Sequence, residues 1–246
     1  MNFFSLFKRK LIYFLSKKIE IDNDGYESKS LDNLFHHYGS DKANKFKNDD
    51  EDGHGYSVYY EKHLKKLKNK KINILEIGSY AGASAAAFSK YFDNSKIFCF
   101  DINISKFKFT SKSIEVFGVD IKNEKKIKKI IQNIFFKNNI NFFDLIIDDG
   151  SHQLSEILLS LNFFYNYVKK DGMYIIEDFK HPNYYKYNND VDDILLDELL
   201  NSLINKRHFK SAFFTNEEQT NLMKTIKKIN IYKGNLKDSD ICFIEK

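Results

Sequence analysis

The residues best equipped for chemistry stand in two acidic clusters, FDLIIDDGSHQ (143–153) and GMYIIEDF (172–179). Each follows an apolar run rich in isoleucine, so each sets carboxylates at the C-terminal end of a core strand, where open α/β sheets bind ligands. If the two strands are neighbours, Asp149, Glu177 and Asp178 converge, and three carboxylates together repel one another unless a cation neutralises them. Hard oxygen donors favour Mg2+, or Mn2+ in its place, over zinc. Such an ion can hold an acceptor hydroxyl and lower its pKa. His152, three residues after Asp149, stands where a base could take that hydroxyl's proton. Helix capping or support of the metal is its alternative use.

A second constellation precedes these. The segment ILEIGSYAGASAAAF (74–88) reads as a buried strand, a glycine turn and an alanine-rich helix. Gly78 and Gly82 let the backbone turn sharply and approach a ligand, with Ser79 and Tyr80 between them. The spacing is G-x-x-x-G rather than the G-x-G-x-x-G of a dinucleotide loop. Glu76 at the strand end would repel a pyrophosphate but suits the ammonium of a methionine moiety. Asp101, closing the next strand (KIFCFDI), stands where an acid holds the two ribose hydroxyls of an adenosine. Asp120, after VFGVD, is placed to read the adenine, with an ordinary strand-end aspartate as the alternative. Asp148 is assigned to the same cofactor site.

The elements that must position these groups follow from periodicity. Strand-like runs fall at 72–77, 96–101, 114–119, 142–148 and 173–177, separated by helical patterns at 83–91, 124–136 and 155–168. Strands alternating with helices argue for a parallel sheet covered on both faces. A helix is expected at 191–204, and two final runs at 228–232 and 240–244 read as an antiparallel hairpin closing the sheet. Residues 20–70 are polar and read as largely irregular, with HHYGSDK and NDDEDGHG as loops and a helix from Tyr56 to Leu67. His36, His37, His54 and His63 are expected to be surface or packing residues.

With 246 residues, 42% of them apolar, the chain suits one α/β domain with short additions. The division expected is an extension over 1–70 and a cofactor-binding domain over 71–246. The net charge of +5 is mild, since 34 acidic residues offset 39 basic ones, and no nucleic-acid partner is expected. Cys99 and Cys242 lie in apolar runs with no metal-type spacing, which makes a reducing cytoplasm the default. The N-terminus, MNFFSLFKRKLIYFLSKKIE, repeats Phe3, Phe7, Leu11, Phe14 and Leu15 at helical spacing among Lys8, Arg9, Lys10, Lys17 and Lys18. The KRK triplet interrupts any signal-peptide core. Such a helix can pack on its own domain, on a second subunit of a homo-oligomer, or on an anionic membrane surface through residues 1–20.

Together YGSDK (38–42), HGYSVYYEKHL (54–64), ILEIGSYAGAS (74–84), FDLIIDDGSH (143–152), YIIEDF (174–179) and the final FIEK resemble the metal-dependent macrolide-sugar O-methyltransferases of the mycinamicin and tylosin pathways. They also resemble bacterial enzymes that methylate capsule and other cell-surface saccharides and their phosphoramidate decorations. The resemblance covers roughly residues 34–180 and the last strand. It implies a Rossmann-like class I methyltransferase, with a mostly parallel seven-stranded sheet, that uses S-adenosylmethionine and Mg2+ or Mn2+. It also implies Asp149, Glu177 and Asp178 as metal ligands, His152 as base, and Lys42 and Tyr56 near the cofactor or acceptor. HPNYYKYNND replaces the loop that follows the acidic pair in the family, so a macrolide acceptor is not implied. A small anionic or saccharide acceptor, nucleotide-linked in one version, is expected instead. Three other readings compete: an RNA or small-molecule N-methyltransferase, which lacks its Asn/Asp-Pro-Pro-aromatic motif here; a nicotinamide oxidoreductase, disfavoured by the glycine spacing; and a non-catalytic membrane-associated module.

Overall fold

The computed structural model describes residues 3–46 and 51–246; part of the expected NDDEDGHG loop and the side chain of Phe3 lie outside them. The strands of the main sheet are β1 (Lys71–Ile77), β2 (Asn94–Asp101), β3 (Ile114–Gly118), β4 (Phe143–Asp148), β5 (Val168–Glu177), β6 (Lys228–Lys233) and β7 (Asp240–Glu245). Their order across the sheet is 6-7-5-4-1-2-3. β3, β2, β1, β4 and β5 run parallel, while β7 is antiparallel to β5 and to β6. The strand order therefore reverses between β1 and β4, with both acidic clusters and the glycine turn at the C-terminal edge beside that switch point. Ligands gather there in open α/β sheets.

The helices are α1 (Phe3–Leu15), α2 (Leu31–Tyr38), α3 (Ser57–Leu64), α4 (Ala83–Tyr91), α5 (Glu124–Asn138), α6 (Leu154–Phe164), α7 (His181–Tyr184), α8 (Leu196–Ile204) and α9 (Asn216–Thr225). One face of the sheet packs against α5, α6, α8 and α9 through Ile131, Leu158, Leu199 and Leu222. The other carries α2, α3 and α4 through Leu34, Phe35, Tyr60 and Phe88, so Ile21, Ala43, Tyr56 and Leu64 of the leading segment share a core with the sheet. The central strands β1 and β4 are buried almost throughout, as expected for strands covered on both sides, whereas the edge strands β3 and β6 are largely half-buried or exposed.

Two expectations are corrected, and one helix lies where none was expected. Residues 31–38 are helical: Ser30 caps the N-terminus by accepting from the Asn33 amide, and Gly39 (φ 78°) ends the helix in the left-handed conformation. His36 and His37 are therefore helical residues rather than loop residues. The helix expected at 191–204 begins at Leu196, because the preceding acids are engaged elsewhere: Asp190 accepts from the Ser155 amide and Asp193 from the Ala212 amide. Residues 216–225 form α9, entered through a reciprocal Thr215–Glu218 capping box.

Candidate active site

Gly78 has φ +84°, and its amide donates to the Phe100 carbonyl at 2.8 Å. A Cβ on Gly78 would run into the backbone carbonyl of Asp149, so the turn after β1 and the DDG turn after β4 meet backbone to backbone. Left-handed conformations at Tyr80 (φ 41°), His152 (φ 56°) and Asp178 (φ 50°) put local strain at the ends of β1, β4 and β5. Gly82 (φ 80°) plays another part. It caps α4, and a Cβ there would strike the Phe107 ring.

A cavity of about 420 Å3 opens beside this turn, walled by Gly78, Tyr80, Asp101, Asp120, Asp149 and His152 among others. A smaller one of about 260 Å3 shares Asp41, Gly78, Tyr80 and Asp149 with it and runs on to Lys42, Ser79 and Ser84. A larger open groove of about 850 Å3 follows α9 past Glu217 and Lys224, but none of the strand-end acids lines it. Asp101 accepts the Tyr80 amide at 2.7 Å and the Asn103 amide at 2.5 Å. Asp120 accepts the Lys122 amide at 3.0 Å. Glu76 is fully buried; Ser84 donates to its Oε1 at 2.5 Å, while its Oε2 is unpartnered. Burial pushes the Glu76 carboxyl up, opposed by the charge of Lys42.

The acids at the ends of β4 and β5 are met by donors from residues 42–60. The Lys42 ammonium, 2% exposed, lies 2.5 Å from both Asp149 Oδ2 and Glu177 Oε2. Burial disfavours that charge, but Asp149 and Glu177 hold the ammonium well above the ordinary lysine range. Tyr60 donates to Glu177 and Tyr56 to Asp178, one helical turn apart on successive acids. His54 Nδ1 lies 3.3 Å from Asp178 Oδ1 and 2.8 Å from Ser239 Oγ. Burial works against charge on His54, yet the Asp178 carboxylate prevails and pushes its pKa up to about 9. Asp178 is likewise opposed by burial but is held down to about 2 by His54, His152 and the Tyr56 hydroxyl. On the open side, Asp149, His152 and Asp178 each offer a ligand atom, all within 4.8 Å of one another. His152 Nε2 is 3.7 Å from Asp149 Oδ1.

Sequence-predicted residues thus divide. Gly78, Ser79, Tyr80, Asp101, Asp120, Lys42, Asp149 and His152 line the connected cavities, and Asp178 adjoins Asp149 and His152. Gly82 packs on Phe107 instead, and Tyr56 lies beneath the acids rather than in the cavity wall. Glu177 is not among the three converging ligand groups, being engaged by Lys42 and Tyr60. Asp148 turns into the interior under Gly150 and accepts from the Tyr174 hydroxyl at 3.0 Å. Burial pushes its carboxyl up to about 6, although the Ser160 and Tyr174 hydroxyls pull the other way. His54, expected as a surface or packing residue, instead pairs with Asp178 at 3.3 Å. Tyr60 and His181 are not singled out by the sequence. The i, i+4 spacing of Tyr56 and Tyr60 was a usable signal for the first. His181 packs edge-on against His152 with ring centroids 4.7 Å apart, from the start of α7 in a segment with no recognisable pattern.

No family model matches the chain. It is 28% identical over 159 residues to L-olivosyl-oleandolide 3-O-methyltransferase of Streptomyces antibioticus, covering 62% of this chain and 38% of that one. It is 25% identical over 132 residues to mycinamicin VI 2''-O-methyltransferase of Micromonospora griseorubida, covering 51% and 31%. Among solved structures, the MycE methyltransferase of the mycinamycin pathway, in complex with Mg, SAH and mycinamycin VI, superposes with a TM-score of 0.66 at 21% identity. That match covers 88% of this chain and 54% of the other. The fold is that of a class I methyltransferase. The chain spans between about a third and a half of the length of these relatives, which are macrolide-sugar O-methyltransferases.

The methyltransferase fold raises the question of whether these residues fit a cofactor and a metal. The Oε2 of Glu76 is a buried acceptor without a partner, a group that a methionine ammonium could satisfy. Asp101 is the acid at the end of the second strand. For the metal, Asp149 and Asp178 form a hard oxygen pair suited to Mg2+ or Mn2+. Glu177 could join them only if Lys42 gave way. Both groups fit the residues present.

Proposed function

We propose that this chain transfers a methyl group from S-adenosylmethionine to a hydroxyl oxygen of a saccharide. The observation that carries the reading is the convergence of Asp149, His152 and Asp178, the first two of which line a cavity whose walls also hold Gly78, Asp101 and Asp120. Glu76 would receive the methionine ammonium, Asp101 the ribose hydroxyls and Asp120 the adenine edge. Asp149 and Asp178 would hold a divalent cation, which supplies a docking point for acceptor oxygens and lowers a hydroxyl pKa. His152 takes the hydroxyl proton as the new C–O bond forms and the C–S bond breaks. Lys42, Tyr56, Tyr60 and His54 hold the acids in place and work against the burial that would neutralise them. Little beyond alignment and an activated oxygen is then required, since positioning alone contributes much of such a barrier.

For the acceptor, we favour a saccharide carrying a phosphate-like group, of the kind found in cell-surface and capsule precursors. The mild positive charge of the chain supports an anionic acceptor. The loop around α7, with Tyr184 and Tyr187 exposed near His181, gives a sugar ring aromatic faces to rest on. Calorimetric titration of S-adenosylmethionine and S-adenosylhomocysteine, with and without Mg2+, tests the cofactor reading. Methyl transfer to sugar phosphates and nucleotide sugars tests the acceptor. Failure of both cofactor forms to bind under every metal condition overturns the enzymatic reading. Binding together with transfer to RNA alone overturns the saccharide.

A further inference from the structure

Helix α1 sits on the fold the wrong way out for a helix that finishes its own core. Its polar side faces inward. Arg9 Nη1 donates to the Ile102 carbonyl at 2.9 Å and Tyr13 packs edge-on against Phe107, while just beyond the helix Lys18 Nζ donates to the Phe107 carbonyl at 2.5 Å. Lys10 lays its stem against Gly118. The other side carries Phe7, Leu11, Phe14 and Leu15 at i, i+4, i+7 and i+8, with Ile12 beside them, and all five are between 42% and 76% exposed. An amphipathic helix that stabilises its own domain turns this stripe toward the core. Lys8 and Lys17 are exposed as well, and the first eighteen residues hold five basic groups and no acid.

We propose that this face is a peripheral docking surface for an anionic lipid bilayer. An apolar stripe edged by lysines, with no acid to repel headgroups, matches the boundary between acyl chains and anionic headgroups in both hydrophobicity and charge. A second copy of the chain fits less well. A two-fold contact through α1 would bring Lys8 and Lys17 of both copies together with no acid of this helix to receive them. The helix lies in the interface rather than crossing it: none among the described residues is long and apolar enough to span a bilayer. The polar anchors fix its orientation, and because Ile102 also lines the larger cavity, the docked surface would flank that cavity's rim. This inference stands independently of the proposed chemistry.

The test is co-sedimentation of the full-length protein with vesicles of phosphatidylcholine alone and of phosphatidylcholine mixed with phosphatidylglycerol, at low and high salt, alongside light scattering. Binding is expected only to the mixed vesicles and should weaken with salt. It should fall by about tenfold or more in Phe7→Ser/Leu11→Ser/Phe14→Ser and, separately, in Lys8→Glu/Lys17→Glu. Since every substituted side chain is exposed, an unchanged melting temperature verifies that the variants remain folded. No binding to mixed vesicles, or equal binding to neutral ones, overturns the proposal. So does a dimer that the triple serine variant dissolves in the absence of vesicle binding.

Discussion

Replacing Lys42 by methionine keeps the volume of the side chain and removes the ammonium that lies 2.5 Å from both Asp149 and Glu177. Glu177 and Lys42 are each 2% exposed, so the acid is left without water or a countercharge. Removing one member of a buried ion pair costs about 3–5 kcal/mol, because the remaining charge stays desolvated. For a domain of this size that is a fall in melting temperature of roughly 6–20 °C. The loss depends on pH with a definite sign. Burial already pushes the Asp149 and Glu177 carboxyls up while Lys42 opposes it, so without Lys42 both rise further. A carboxyl whose folded-state pKa is raised destabilises the fold as pH climbs through the interval between its unfolded and folded values. Lys42→Met should therefore be nearest to the wild type in mild acid and weakest in mild alkali. Denaturant unfolding followed by circular dichroism, in a chelator and at several pH values, measures this. Millimolar Mg2+ should restore part of the loss, since a divalent cation can take over the neutralisation of the same acids. A destabilisation under about 1 kcal/mol, or one of equal size across the pH range, would refute the assignment of Lys42 as the countercharge.

Three further outcomes are expected. Gly78→Ala should lower stability by about 2 kcal/mol or more, because a left-handed residue gains a Cβ aimed at the Asp149 carbonyl; a melting temperature within a degree or so of wild type contradicts the contact. Asp148, raised from 3.8 to about 6 in the fold, costs about 3 kcal/mol once pH passes both values. Asp148→Asn should accordingly flatten the decline in stability between about pH 4 and 6 and melt higher at pH 8, as thermal scans across pH would reveal. His152→Gln should lower turnover by about 10²–10⁴-fold while leaving calorimetric cofactor affinity intact; equal losses in both would assign the histidine to binding rather than proton transfer.

The sheet was legible because its strands are continuous apolar runs, and the parallel order follows once helices separate them. The acids and glycines at strand ends were legible for the same reason, since a strand's last residue is easy to find. Two helices escaped because their patterns are short and half polar, LDNLFHHY and NEEQTNLMKT, though Ser30, Gly39 and the Thr215–Glu218 pair were present as end signals. The partners of the acids were harder. Lys42, His54 and Tyr60 meet Asp149, Glu177 and Asp178 only after the chain has folded back across the sheet, and no local periodicity encodes which side chain faces which carboxylate. Asp148 and Asp149 were indistinguishable as neighbours in one strand end; alternation of side chains sends the first inward and the second to the cavity.

The hydrogen bonds from Lys42, Tyr56 and Tyr60 to the acids bridge 107 to 135 residues of chain. Contacts of such separation form late, since the loops they close are entropically expensive until the intervening strands have assembled. The sheet must therefore gather its acids before their countercharges arrive. During refolding this leaves an interval in which mutual repulsion holds the C-terminal edge open and the leading segment is still undocked. A fragment beginning at Lys71 would remain in that condition permanently, with every strand of the main sheet and none of these donors. In kinetic terms the first seventy residues act as the closing step of a slow, non-local assembly.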